Sequence, residues 1–362
     1  MTVTRAMARA EAARLRDAFA AAGAHPVETP ILQPAATLLD LYGEDIRARA
    51  YVTQDPLRGE QMLRPDFTVP VVQMHMDGGA EPVRYTYAGE VFRRQEDDPE
   101  RASEYLQVGF EIFDRADPAG AEAEVFARIS DLVQPLGLRA ATGDIGVLMA
   151  AVEGLETTER RRAALMRHIW RPRRFRALME RFAGKAPVPP ARAALLAAED
   201  PMAGCAPLIG LRGPDEIAAR IDALREDAET PPLSAAQVQL IDAILSVRET
   251  LPNALEHLRD ISVDLPGLQP CVERIEARAE ALQARGVDID SLDFEASYGR
   301  TSMEYYDGFV FGFYAPARPD LPPVASGGRY DALTRRLGGG RAIPAVGGVI
   351  RPGLVLELGG AA

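Results

Sequence analysis

The run Gln107-Val108-Gly109-Phe110-Glu111-Ile112 sets two chemistries on opposite sides of one extended segment. Val108, Phe110 and Ile112 share an apolar face, while Gln107, Gly109 and Glu111 share a polar one. On that polar face Glu111 can pair with a cationic or N–H-bearing group, Gln107 can donate and accept, and Gly109 leaves room for a ligand to approach. The same pattern also suits the solvated side of an antiparallel sheet. Upstream, Arg64-Pro65-Asp66-Phe67-Thr68 places a carboxylate and a hydroxyl on one side of an extended chain, where together they can hold an ammonium group. A turn in which Asp66 bonds its own backbone is the commoner use of such a sequence. Arg93, in Phe92-Arg93-Arg94, can grip a carboxylate or phosphate bidentately or end a strand in solvent. Tyr305-Tyr306, read as part of a strand, must point to opposite faces, one packing and the other offering its hydroxyl. Gly327-Gly328-Arg329-Tyr330-Asp331 is glycine-rich but lacks the GxGxxG spacing of a dinucleotide site.

Other chemistries are excluded by what the chain does not contain. Lys185 is the single lysine, and Gly184-Lys185-Ala186 fits neither a P-loop nor a buried Schiff-base site. Cys205 and Cys271 form no CxxC, and His25, His75, His168 and His257 form no HExxH, so no metal and no cofactor is expected. The net charge of −12 argues against nucleic acid as the main ligand. Eight arginines between Arg160 and Arg176, around His168 and Trp170, form a basic island within this acidic chain. They suit a solvated helix face or a docking surface for an acidic partner or polyanion.

The elements that must position these residues follow from periodicity. Leu15 and Phe19 fall one turn apart in a helix over 4–22, which Gly23 stops. Residues 25–32 read as a short extended stretch and 35–42 as a helix. Val83, Tyr85 and Tyr87 alternate with Arg84 and Thr86, predicting a strand that pairs antiparallel with 107–113 across a polar loop at 95–100. Residues 118–286 read mainly as helices, broken by Pro-bearing loops near 186–190, 201–207, 213–214 and 230–232. Strands are expected at 291–297, 305–314 and 324–326, then a helix at 332–337, a glycine turn and a final Val-rich strand. This order predicts an α+β fold, an antiparallel sheet flanked by helices. Its core is discontinuous, 1–135 and 287–358, around a helical middle at 136–286. No run reaches the roughly 18 apolar residues of a membrane span, and the N-terminal segment lacks a signal-peptide pattern, so a cytoplasmic location is expected.

Together these segments resemble the catalytic core of class II histidyl-tRNA synthetases. Arg64-Pro65-Asp66-Phe67-Thr68 is similar to that family's Arg-Pro-Glu-x-Thr. Phe92-Arg93 through Glu111-Ile112-Phe113 is similar to its motif 2 with Gln-x-Gly-x-Glu, and Tyr305-Tyr306-Asp307-Gly308-Phe309-Val310-Phe311 to its histidine-recognition strand. The segment 326–337 is similar to its Gly-Gly-Arg-Tyr-Asp helix. The departures fall where the synthetase handles nucleotide. Gln95 replaces the glutamate of Phe-Arg-x-Glu. Thr301 occupies the place of the activating arginine, with Arg300 displaced by one, and Leu354 stands for the motif 3 arginine, where Pro352 is expected to disturb a helix. No anticodon-binding domain is expected to follow.

This pattern resembles the regulatory-subunit family of the short-form ATP phosphoribosyltransferase. The resemblance implies a non-catalytic chain that the short catalytic subunit requires for activity, with histidine feedback control at the first step of histidine biosynthesis. It also implies a hetero-octamer and a homodimer built through the synthetase-like core. For histidine as ligand it implies that Asp66, Thr68 and Gln107 hold the α-ammonium, Asp66 through water because it is shorter than the family's glutamate. Glu111 and Tyr306 would address the imidazole, Arg93 the carboxylate, and Tyr305 and Tyr330 would form walls. An active histidyl-tRNA synthetase-like ligase and a stand-alone amino-acid sensor are the competing expectations.

Overall fold

Thr4 caps the first helix by accepting from the Met7 amide at 3.2 Å, and α1 (Arg5–Ala21) buries Ala12, Leu15 and Phe19 on one face. The helix ends where Gly23 takes φ +94°, a conformation that side chains rarely adopt. The computed structural model describes residues 3–42, 46–95, 101–203, 205–207, 209–300 and 305–359.

The buried face of α1 lies on a nine-stranded sheet ordered β1 (His25–Pro26), β5 (Val83–Phe92), β6 (Glu104–Phe113), β12 (Ala345–Ile350), β11 (Ala325–Arg329), β10 (Phe309–Tyr314), β7 (Arg139–Asp144), β9 (Asp293–Glu295) and β8 (Arg248–Thr250). All its pairings are antiparallel except β1 with β5 and β7 with β9. A second sheet of β2 (Leu32–Pro34), β4 (Gly59–Leu63) and β3 (Val52–Asp55) sits with α2 (Ala35–Tyr42), α3 (Ile46–Arg49) and α4 (Thr68–Met76).

α5 (Pro118–Val133) packs on the sheet, and the helical middle comprises α6 (Ile145–Glu153), α7 (Glu159–Arg167), α8 (Pro172–Phe182), α9 (Pro190–Ala197), α10 (Pro214–Glu229), α11 (Ala235–Ser246), α12 (Leu251–Asp264) and α13 (Gln269–Ala284). Near the C-terminus α14 (Asp331–Leu337) and α15 (Pro352–Gly359) flank β12.

Two apolar clusters sandwich the large sheet. On one side Phe19 stacks on Phe110 with ring centroids 4.9 Å apart, and Phe126 of α5 lies 5.5 Å from Phe311 and 5.2 Å from Phe313. On the other, Phe67 stacks on Tyr87 at 4.3 Å among residues of α2, α4 and α14. Stacked aromatics of this kind add a geometric preference to their area burial. Cys271 of α13 is buried in the first cluster, whereas Cys205 is exposed.

Four expectations need correction. β7 lies within the stretch read as helical, yet it pairs along its full length with β10 in the main sheet. Its sequence Arg139-Ala140-Ala141-Thr142-Gly143-Asp144 offers no β-branched alternation to announce a strand. Residues 66–68 are not extended: Thr68 begins α4, and Asp66 Oδ1 accepts from the Val69 amide at 3.3 Å. Tyr305 and Tyr306 precede β10, which starts only at Phe309, so strand alternation does not separate their rings. Pro352 starts α15 instead of disturbing it, because the first helical position has no intrahelical use for an N–H.

Candidate functional site

β6 puts Gln107 and Glu111 on the face turned away from α1, and neither is solvated: each is 1% exposed. The polar side of this strand therefore lines the interior. It faces a cavity of about 700 Å³ whose wall includes Asp66, Thr68, Arg93, Gln107, Glu111, Tyr305 and Tyr306. Asp66 and Thr68 arrive from the first turn of α4, Arg93 from just beyond β5, and the two tyrosines from the approach to β10. Seven of the eight residues singled out in the sequence thus meet at one surface. The eighth, Tyr330, does not line the cavity; it lies behind Glu111.

Glu111 is held by three hydroxyls. Tyr87 donates to Oε1 at 2.7 Å, Thr68 to the same oxygen at 3.3 Å, and Tyr330 to Oε2 at 2.6 Å. Burial pushes the carboxyl up to about 7 even so, and nearby Asp66 adds to the rise. Tyr87 and Tyr330 hold their protons well above the usual phenol range, through burial first and the Glu111 charge second. Tyr305 donates in turn to Thr68 Oγ1 at 3.4 Å, and its ring meets Tyr306 edge-on at 4.8 Å. Arg93 Nε donates to the Pro65 carbonyl at 2.7 Å, fixing the guanidinium at the cavity wall.

The glycines around Glu111 have a different role from the one their position suggests. Gly109 stands opposite Tyr87 in the β5–β6 register, and a Cβ there would come 2.0 Å from the tyrosine ring. Gly347 stands opposite Glu111, and a Cβ there would come 1.4 Å from Oε2. The vacant space is filled by the carboxylate and its tyrosine, so Gly109 does not open a way for ligand. Tyr87 is the functional candidate that sequence reasoning missed. Its alternation with Tyr85 is visible, but its closeness to Glu111 depends on a register that one strand cannot reveal.

Gln107 completes the amino-acid-sized end of the cavity: its Oε1 is buried and bonds nothing in the structure. An acceptor of this kind, beside the carboxyls of Asp66 and Glu111, suits a ligand rich in N–H donors. Elsewhere on the wall lie Arg176, Arg351 and Arg300, the last being the arginine that stands one position from the activating arginine of the synthetase pattern. Arg351 sits three residues before Leu354, which packs against the main apolar cluster. Gln95 donates to the Ala102 carbonyl at 3.5 Å, and Thr301 lies outside the described residues.

A family model described as histidyl-tRNA synthetase matches residues 4–226 and 215–352. Curated relatives from Brucella canis and Brucella melitensis biotype 2, each named ATP phosphoribosyltransferase regulatory subunit, are 32% identical over 354 residues. These matches cover 92% of this chain and 93% of each relative. The chain belongs to the ATP phosphoribosyltransferase regulatory subunit family.

Solved structures agree on the fold of this regulatory-subunit family member. An ATP phosphoribosyltransferase regulatory subunit/histidyl-tRNA synthetase from Bacillus halodurans superposes with a TM-score of 0.67 at 20% identity, covering 99% of this chain and 81% of that one. A histidyl-tRNA synthetase from Nostoc sp. PCC 7120 gives 0.63 at 18% identity, over 98% and 71%. The α+β, class II synthetase-like architecture expected from the motifs is therefore the one observed.

Proposed function

We propose that this chain is the non-catalytic regulatory subunit of a short-form ATP phosphoribosyltransferase, acting in the cytoplasm, and that the cavity binds histidine. The phosphoribosyl transfer belongs to the catalytic partner, which requires this chain for activity. Histidine held here biases the assembly toward a less active state, a coupling that linkage makes reciprocal. The observation that carries the ligand reading is the buried, unbonded Gln107 carbonyl oxygen at a wall shared with Asp66, Thr68 and Glu111. In this reading Asp66, Thr68 and Gln107 take the α-ammonium. Glu111 and Tyr306 take the imidazole, Arg93 the carboxylate, and Tyr305 forms a wall. Tyr330 orients Glu111 from behind instead of touching the ligand.

A homodimer through the synthetase-like core and a hetero-octamer with the catalytic chain belong to the same proposal. Ile31, Leu32, Tyr51, Val52 and Leu57 are exposed apolar side chains on and beside the small sheet. Its outer strands β2 and β3 have no further partner strand among the described residues.

The test mixes this chain with a short catalytic chain and follows phosphoribosyl-ATP formation with and without histidine. The catalytic chain alone is expected to be nearly inactive, to recover on mixing, and to be suppressed by histidine. Gln107→Leu should raise the histidine concentration needed for suppression at least tenfold, the loss expected for a charge-assisted hydrogen bond. Histidine-dependent ATP–pyrophosphate exchange by this chain alone would instead establish the ligase reading.

A further inference from the structure

The cavity is larger than a free amino acid requires; volumes of this order accommodate much bigger ligands. Asp66, Thr68, Gln107 and Glu111 occupy the wall formed by α4 and β6. The helical middle builds another part of the wall, with Pro172 and Arg176 from α8 and Leu245 from α11, and here the charge changes sign.

Arg300 is 5% exposed and pairs with no carboxylate among the described residues. Its Nε donates to the Ile169 carbonyl at 2.7 Å, its guanidinium lies 4.9 Å over the Phe175 ring, and its Nη2 is buried and bonds nothing. Other buried arginines are treated differently. Arg161 pairs with Asp227, Arg329 with Glu122 and Asp331, and Arg64 gives its donors to the carbonyls of Glu90 and Thr29. Arg278 also leaves Nη2 unbonded, but its charge is matched by Glu122 and Asp144.

A buried guanidinium with no counter-charge is costly unless an anion arrives. Arg176, close enough to Arg300 to lower its proton affinity further, lines the same cavity. Among the described residues Arg167, Arg173, Arg174 and Arg176 take part in no ion pair, so α7 and α8 carry unneutralised positive charge on a protein of net charge −12. Such local charge attracts anions toward the helices that carry it, and of these four arginines Arg176 is the one on the cavity wall. Glu295, the remaining carboxylate on the wall, accepts from Ser297 at 2.6 Å and pairs with Arg248 at 3.7 Å.

We infer that Arg300 and Arg176 form a phosphate-binding subsite, so that the cavity accepts a small phosphorylated molecule in addition to an amino acid. Two guanidiniums from different elements suit a phosphate dianion, whose two negative charges match their two positive ones. The inference concerns a different wall from the one assigned to histidine and stands whether or not histidine is the ligand there.

Calorimetric titration of the full chain with inorganic pyrophosphate tests it. Wild type should bind saturably, and Arg176→Gln and Arg300→Gln should each weaken binding tenfold or more. Arg173→Gln, exposed and away from the cavity wall, should weaken it less than threefold, and Gln107→Leu should leave it unchanged. Should Arg300→Gln fail to fold, Arg176→Gln decides, because that side chain is exposed on α8. Absence of saturable binding, or equal losses from Arg173→Gln and Arg176→Gln, would overturn the subsite in favour of a diffuse field.

Discussion

Glu111 has a proton affinity unlike that of an exposed carboxylate, and the consequence is thermodynamic as well as chemical. Its folded-state value of about 7 lies above its ordinary 4.5. Between these limits the folded chain holds a proton that the unfolded chain has released, so stability falls as pH rises through the window and levels off above it. Asp307 caps α14 by accepting from the amides of Asp331 and Ala332; it is likewise raised to about 7, by burial and then by Asp331, and adds to the same slope. Glu111→Gln should therefore make the slope shallower and leave the empty protein more stable than wild type above about pH 7. Melting temperatures across that range check this, and an unchanged slope would place the pH dependence elsewhere. At this scale Gln107 and Glu111 were legible because strand alternation puts them on one face. Arg176 was not, and Arg300 was visible only as an arginine one place out of the synthetase pattern, because nothing in a linear pattern brings residues from α8 and the approach to β10 to one wall.

At the scale of elements, β6 shows how one strand serves two interiors. Val108, Phe110 and Ile112 pack under α1 and α5, while its polar face is closed off by α4, Tyr87 and α14. Alternation revealed the two faces but not that both are covered, because covering depends on elements distant in sequence. The same limit hid β7, whose place between β10 and β9 is set by pairing partners and not by its own residues. The register of β5 with β6 makes Gly109 the sensitive position. Gly109→Ala drives a methyl into the Tyr87 ring, so the ring must shift and release Glu111 Oε1. The expected cost is about 1–3 kcal/mol in urea unfolding. Histidine binding should weaken with it, whereas binding at the arginine-lined wall should persist.

At the scale of the molecule, the helical middle and the sheet are joined by buried charge. Arg278 of α13 bonds Glu122 of α5 at 3.1 Å and Asp144 at the end of β7 at 2.9 Å. Glu122 passes the chain on to Arg329, which grips Asp331 at 3.0 Å. Burial alone would raise Glu122, but Arg329 and Arg278 together hold it below the usual carboxylate range. Arg278→Met would leave buried Asp144 without its arginine and Glu122 with Arg329 alone, and breaking such a network typically costs about 3–5 kcal/mol. Cys271, two turns earlier on α13 and held above its usual proton affinity by burial, offers the readout: its rate of reaction with a thiol reagent should rise in the variant. Cys205 is already exposed. A maleimide dye applied to the native chain thus marks one position in the helical middle without any engineering, and a second mark on the same molecule records that α13 has come away from the sheet.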